Sequence, residues 1–210
     1  NLSSVCIYNP LNLKEIIKLS KTKKKNLFNK KASLKLISIG RLSEEKDQLT
    51  FLKSISYLKR KIKLSALIMG EGSLKKKLVE FINKNKLNKI VKLTGYKKNP
   101  YPYIKQSNFL ILSSLHEGLP NILLEATVLK KFIISSNCET GPKEILINGK
   151  AGALFKVKNY VDLSKKILFF HKNKKIRDKK IQFGYSKINR FNSDKNLKNY
   201  FKVISVLSNN

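Results

Sequence analysis

The chain of 210 residues carries 45 Lys and Arg against 13 Asp and Glu, a formal net charge of +32, and 41% of it is hydrophobic. That length and apolar content support one well-cored globular domain and exclude a disordered chain. No apolar run approaches the ~20 residues of a membrane-spanning helix.

Cys6 and Cys138, the two cysteines, form neither a CxxC pair nor a metal-ligand spacing. We read both as buried, reduced and inert, which suits a cytosolic compartment. The positive field attracts anions: nucleic acid, acidic lipid headgroups, nucleotide diphosphates. Lysine greatly outnumbers arginine and the cations are scattered along the chain. Compositional drift therefore accounts for most of the charge, and attraction to a bilayer surface for a smaller part. The chain opens on Asn1 rather than Met, and no signal peptide is visible. We expect an N-terminal portion upstream.

In chain order, Val5–Asn9 followed by Pro10 reads as a short extended segment and a turn, and lysine-rich 21–31 as an exposed connection. Leu34–Ile39 reads as a strand ending at Gly40. Asp47–Lys61 is helical, with Leu49, Leu52, Ile55, Leu58 and Ile62 at three- and four-residue spacing. A strand at Leu64–Met69 ends at Gly70, a helix spans Ser73–Lys84, and a strand at Ile90–Thr94 ends at Gly95. A short helix over Tyr101–Gln106 leads to the strand Phe109–Ser113. After a Glu-Gly-Leu-Pro turn, Pro120 opens a helix, since proline suits a first helical position. Phe132–Ser136 is the next strand, Lys143–Ile147 a short helix and Ala153–Phe155 a last strand. Val161–His171 and the segments after Lys174 read as helical. This alternation predicts an α/β fold, a Rossmann-like doubly wound parallel sheet. Such folds place their sites at the carboxyl ends of the strands.

The motifs fall at those ends. In His-Glu-Gly-Leu-Pro-Asn-Ile-Leu-Leu-Glu-Ala (116–126), seven residues separate Glu117 at a loop tip from Glu125 one turn into a helix. Carboxylates accept from sugar hydroxyls, and a helix start faces phosphate. Two solvated glutamates would be the plain alternative, but the whole string is far more specific than the spacing. Gly40-Arg41 and Lys46 follow the first strand, where Arg41 can fork two donors onto phosphate oxygens. Glu44 and Glu45 read as surface residues, and Gly70-Glu71-Gly72 as a tight turn that leaves room for a ligand. Tyr96 either packs on a base or is simply half-buried. Ser136–Glu144, with its Thr-Gly-Pro turn, shapes a cleft wall. His116 and His171 have no metal-ligand partners at helical spacing; His171 is expected at the surface, as is Lys98.

Together these motifs resemble the C-terminal, donor-binding domain of retaining family-4 glycosyltransferases of the GT-B fold, over nearly the whole chain. The resemblance implies sugar transfer with retention from a UDP- or GDP-sugar to a lipid-linked or saccharide acceptor, in bacterial polysaccharide, lipopolysaccharide or glycolipid assembly. It implies Glu117 as the catalytic carboxylate. It implies donor contacts from Arg41, Lys46, Tyr96, Gly118, Leu119, Pro120, Asn121, Ile122 and Glu125. No cofactor and no metal are expected, because Arg41, Lys46 and the helix start stabilise the departing diphosphate. Residues 1–13 would end an interdomain linker, 14–174 bind the nucleotide sugar, and 175–210 cross back to a missing N-terminal domain. Alone, the domain would be inactive. The expected place is the cytoplasm, with the inner face of the plasma membrane as a peripheral position.

Two other classes compete. A basic module for nucleic acid or anionic membrane calls for aromatics interleaved with cations on an exposed face. Here the aromatics fall in apolar patterns, so no nucleic acid is expected. A nucleotide-sugar epimerase of the same fold would need its carboxylates and histidine arranged differently.

Overall fold

A computed structural model describes residues 7–208 apart from Asn9. Cys6 and most of the expected extended segment at 5–9 lie outside the described residues.

Six short apolar runs form one sheet: β1 (Leu34–Ile39), β2 (Leu64–Met69), β3 (Val91–Leu93), β4 (Phe109–Leu112), β5 (Phe132–Ser136) and β6 (Ala153–Phe155). The order is β3-β2-β1-β4-β5-β6, with every neighbouring pair parallel. β2, β4 and β5 are buried at every position, as expected of a parallel sheet covered on both faces. The two-residue period of a strand splits each run between two cores. Leu36, Ile68, Phe109 and Phe132 enter one cluster, with α2 (Gln48–Leu58), α3 (Lys75–Lys84) and α7 (Tyr160–Lys172). Ile37, Leu67, Leu110 and Ile133 enter the other, with α1 (Leu13–Ser20), α4 (Tyr101–Gln106), α5 (Asn121–Val128) and α6 (Pro142–Ile145). Each such side chain contributes about 1.5–3 kcal/mol by leaving water. The fold is the doubly wound one expected.

Several boundaries move by one to three residues for local reasons. Asp47 caps α2 rather than starting it. Its carboxylate accepts from the Thr50 amide at 3.2 Å and the Thr50 hydroxyl at 2.6 Å, and its φ of 40° is non-helical. Pro120 likewise caps α5, and Asn121 is the first helical residue. The sequence reading placed no helix at α1, whose short run is fixed by Asn12 accepting from the Glu15 amide and by Ile16 entering the core.

After α7, helices α8 (Lys174–Ser186) and α9 (Ser193–Ser208) flank a 3-10 turn at Ile188–Phe191. His171 is half-buried at the end of α7, not exposed as expected. Burial, and then the nearby Arg177 on α8, hold its imidazole below the ordinary value. Leu11 exchanges backbone bonds with Phe191 and Ser193, so the incoming chain runs beside the start of α9.

Candidate active site

Strand order reverses between β1 and β4, and that reversal opens a crevice at their carboxyl ends. Segment 40–47 leaves β1 there, and segment 113–120 leaves β4. The Leu115 amide donates to the Glu45 carbonyl at 2.7 Å, and the Ser113 hydroxyl to the Lys46 carbonyl at 3.0 Å. These bonds lock the two segments together. Lys46 Nζ consequently lies 2.6 Å from Oε1 of Glu117.

Glu117 is held tightly. Its side chain is 8% exposed and that of Lys46 27%. The Ser114 hydroxyl donates to the same Oε1 at 2.6 Å. Ser114 is fully buried, and its carbonyl accepts from the Ser136 hydroxyl at 2.6 Å. One carboxylate oxygen thus takes two strong donors, while Oε2 has no donor among the described contacts. Ser114 was missed in the sequence, although a serine three residues before a glutamate in a turn is well placed to reach back to it.

The Thr-Gly-Pro turn supports the same loop. The Thr140 hydroxyl donates to the Glu117 carbonyl. Gly141 adopts φ 67°, and a side chain there would collide with the Gly118 carbonyl oxygen. Gly70 plays the matching part across the crevice. At φ 145° it lets its own loop touch the Gly40 carbonyl, where any Cβ would clash.

Beside the Lys46–Glu117 pair lies a cleft of about 590 Å³. Of the expected donor residues, Arg41, Tyr96, Ile122 and Glu125 line it, whereas Lys46, paired with Glu117, and Gly118, Leu119, Pro120 and Asn121 do not. Gly118, Leu119 and Pro120 form the turn between Glu117 and α5, and Asn121 is the first residue of that helix; the Leu123 amide donates to the Pro120 carbonyl at 3.0 Å, while those of Asn121 and Ile122 lack intrahelical partners. Arg41 is exposed, and its guanidinium makes no hydrogen bond or ion pair among the described contacts. Its backbone is fixed by Gln48, whose side-chain amide donates to the Arg41 carbonyl at 2.8 Å. Tyr96 is 72% exposed at the mouth. Lys97 and Lys98, on the loop after β3, also line the cleft; Lys98 is exposed as expected, but it stands at the cleft rather than away from it.

Glu125 meets a partner that the sequence did not assign. The Tyr101 hydroxyl lies 3.4 Å from its Oε1. Burial pushes the Glu125 carboxyl above the ordinary glutamate value, with the tyrosine hydrogen bond pulling the other way. The Tyr101 phenol is pushed up to about 12, first by burial and then by the charge of Glu125. Tyr101 therefore stays protonated and donates. A half-buried carboxylate with a weak, long bond of this kind lacks full compensation.

Other candidates contribute little. His116 is exposed. Among the described residues, no three of His, Cys, Asp and Glu gather where they could hold a metal ion. Cys138 is buried, and burial raises its thiol above the ordinary value, which leaves it inert.

Comparison with known proteins agrees with this architecture. Among solved structures, Anabaena HepE in complex with UDP superposes with a TM-score of 0.81 at 16% identity, over 95% of this chain and 57% of that one. A glycosyltransferase from Rickettsia africae superposes at 0.79 with 18% identity, over 95% and 56%. An uncharacterized glycosyltransferase of Methanocaldococcus jannaschii is 46% identical over 123 residues, 58% of this chain and 30% of the relative. An N-acetylgalactosaminyltransferase of Campylobacter jejuni, named for a diphospho-undecaprenol acceptor, is 31% identical over 124 residues, 59% of this chain and 33% of the relative. The chain thus spans about a third of the length of these curated relatives. The family described as glycosyl transferases group 1 matches residues 20–187, and to that family, with its Rossmann-like GT-B half, the chain belongs.

Proposed function

We propose that the chain binds the donor in a retaining sugar transfer from a nucleotide diphosphate sugar, as the C-terminal half of a two-domain enzyme. The observation that carries this reading is the convergence of Lys46, Glu117 and Arg41 at the point where strand order reverses. Departure of the nucleotide leaves negative charge on the diphosphate and positive charge on the sugar ring. Arg41, Lys46 and the unpartnered amides at the start of α5 would receive the former. Glu117, with Oε2 open, would contact sugar hydroxyls and stabilise the latter. Glu125 and Tyr101 would hold the ribose, and Tyr96 would cover the base. UDP is the nucleotide favoured by the HepE complex, and a lipid-linked acceptor by the Campylobacter relative. Assembly of a surface polysaccharide, lipopolysaccharide or glycolipid is the corresponding role.

With two cations and a helix start already directed at the leaving diphosphate, transfer should need no added divalent metal. The test is a transfer assay of the full-length enzyme with UDP- and GDP-sugars, with and without EDTA, and with the anomeric configuration of the product read by NMR. An inverted product would refute the retaining mechanism. Activity lost in EDTA and restored by magnesium or manganese would refute the charge-compensation role given to Arg41 and Lys46.

A further inference from the structure

The cations are not spread evenly over the fold. The segments that enter β1 to β5 from below the sheet (24–33, 59–63, 85–90, 107–108 and 129–131) hold twelve Lys or Arg and no Asp or Glu. The segments that leave the same strands toward the cleft (40–47, 70–74, 94–100, 113–120 and 137–141) hold four against six. Drift in composition alone would load both edges alike. None of the five ion pairs among the described residues involves any of the twelve. Part of the edge is concave: Lys31, Arg60, Lys63 and Lys89 share a cavity of about 470 Å³. Helix ends account for only some of this charge. α2, α3, α4 and α5 finish here, and their last carbonyls favour a cation, as Lys59 shows by donating to the Asn85 carbonyl at 2.6 Å. About one cation per helix end meets that demand.

We propose that this edge is a docking surface for an anionic lipid bilayer. Three observations favour a bilayer over nucleic acid. The charge spreads across the entry segments of four strands, β1, β2, β3 and β5, a broad array of which the cavity is only one part. Eleven of the twelve cations are lysines, point charges suited to a diffuse field, whereas arginine forks are the usual readers of nucleic acid. The single aromatic in these segments, Phe28, is 3% exposed, so no stacking platform for bases is offered. The surface is independent of the chemistry proposed for the cleft.

Vesicle co-sedimentation tests this directly, with phosphatidylglycerol–phosphatidylcholine vesicles against phosphatidylcholine alone. Two variants remove the same charge. One carries Lys31→Gln, Arg60→Gln, Lys63→Gln and Lys89→Gln. The other carries Lys14→Gln, Lys76→Gln, Lys156→Gln and Lys195→Gln, at exposed positions away from the edge. Circular dichroism confirms the fold of each. The protein and the second variant should bind anionic vesicles in a salt-sensitive way, while the first loses about tenfold or more in partitioning. Equal losses in the two variants would reduce the effect to net charge and overturn the proposal, as would absence of binding to anionic vesicles. Tighter binding to duplex or single-stranded DNA at the same salt, lost only in the first variant, would assign the edge to nucleic acid instead.

Discussion

Replacing Ser114 by alanine probes the least expected part of the site. The hydroxyl donates at 2.6 Å to Glu117 Oε1, which Lys46 also engages at 2.6 Å. Ser114 is wholly buried and the Glu117 side chain 8% exposed, so water has no room to take over the lost bond. A hydrogen bond to a charged group is worth about 1.5–3 kcal/mol. In a chain of this size that corresponds to about 3–12 °C in Tm. With Ser114 gone, Oε1 keeps Lys46 but the carboxylate can swing about one anchor. A misplacement of this kind at a reacting centre costs up to about a hundredfold.

Three measurements follow from that argument. Thermal denaturation should show the loss in Tm. Calorimetry with UDP should show unchanged affinity, because the cleft is lined by other side chains. Kinetics of the full-length enzyme should show kcat reduced about tenfold or more, with KM for the donor little changed. Ser114→Thr, which keeps a hydroxyl, should restore much of kcat. An unchanged Tm and kcat in Ser114→Ala would refute the anchoring role. Loss of UDP binding in step with kcat would mean that the serine supports the crevice as a whole rather than the carboxylate.

Other variants separate the remaining roles. Arg41→Ala should weaken UDP binding by about 1.5–3 kcal/mol and Lys76→Ala, an exposed residue of α3, by little; equal effects at equal salt would show that the general field does the binding. Glu125 carries a raised pKa, so the folded protein holds an extra proton just above the ordinary glutamate value, and stability falls as pH rises through that window. Glu125→Gln should flatten that fall and leave the ligand-free protein more stable at neutral pH, while raising KM for the donor; denaturation curves across the acid range give the answer, and an unchanged slope would remove the burial argument. Glu117→Gln should mainly lower kcat, since its charge matters most when the ring becomes positive, whereas Glu125 contacts exist in ground and transition state alike. Near-normal kcat in Glu117→Gln would leave Glu117 as a donor-positioning residue only.

The sheet was legible because its signal is local. Leu64–Met69, with one serine, and Phe132–Ser136, whose first three residues are apolar, form strands with the expected bounds. α1 was not legible, since eight residues with a single fully core-facing isoleucine give too short a period. The placement of motifs at strand ends was also readable, because in a parallel sheet every strand leaves by the same edge. Arg41, Tyr96, Ile122 and Glu125 accordingly meet in one cleft.

What the sequence could not carry are contacts that depend on which strands lie side by side. Lys46 meets Glu117 across 71 positions, and Tyr101 meets Glu125 across 24. Only the adjacency of β1 and β4 brings the first pair together, and no pattern within either segment encodes it. The same limit explains the charge. Read along the chain, the lysines look uniformly scattered, and drift is the natural account. Folding sorts the connections into two edges, one leading into the strands and one leading out. Carboxylates stand at the outgoing edge, where they serve the cleft or offset its cations, and the segments that enter β1 to β5 are left without any. A polarity of this kind is invisible in composition and fixed by topology alone, so the four-residue exchange at Lys31, Arg60, Lys63 and Lys89 tests a property of the fold rather than of the sequence average.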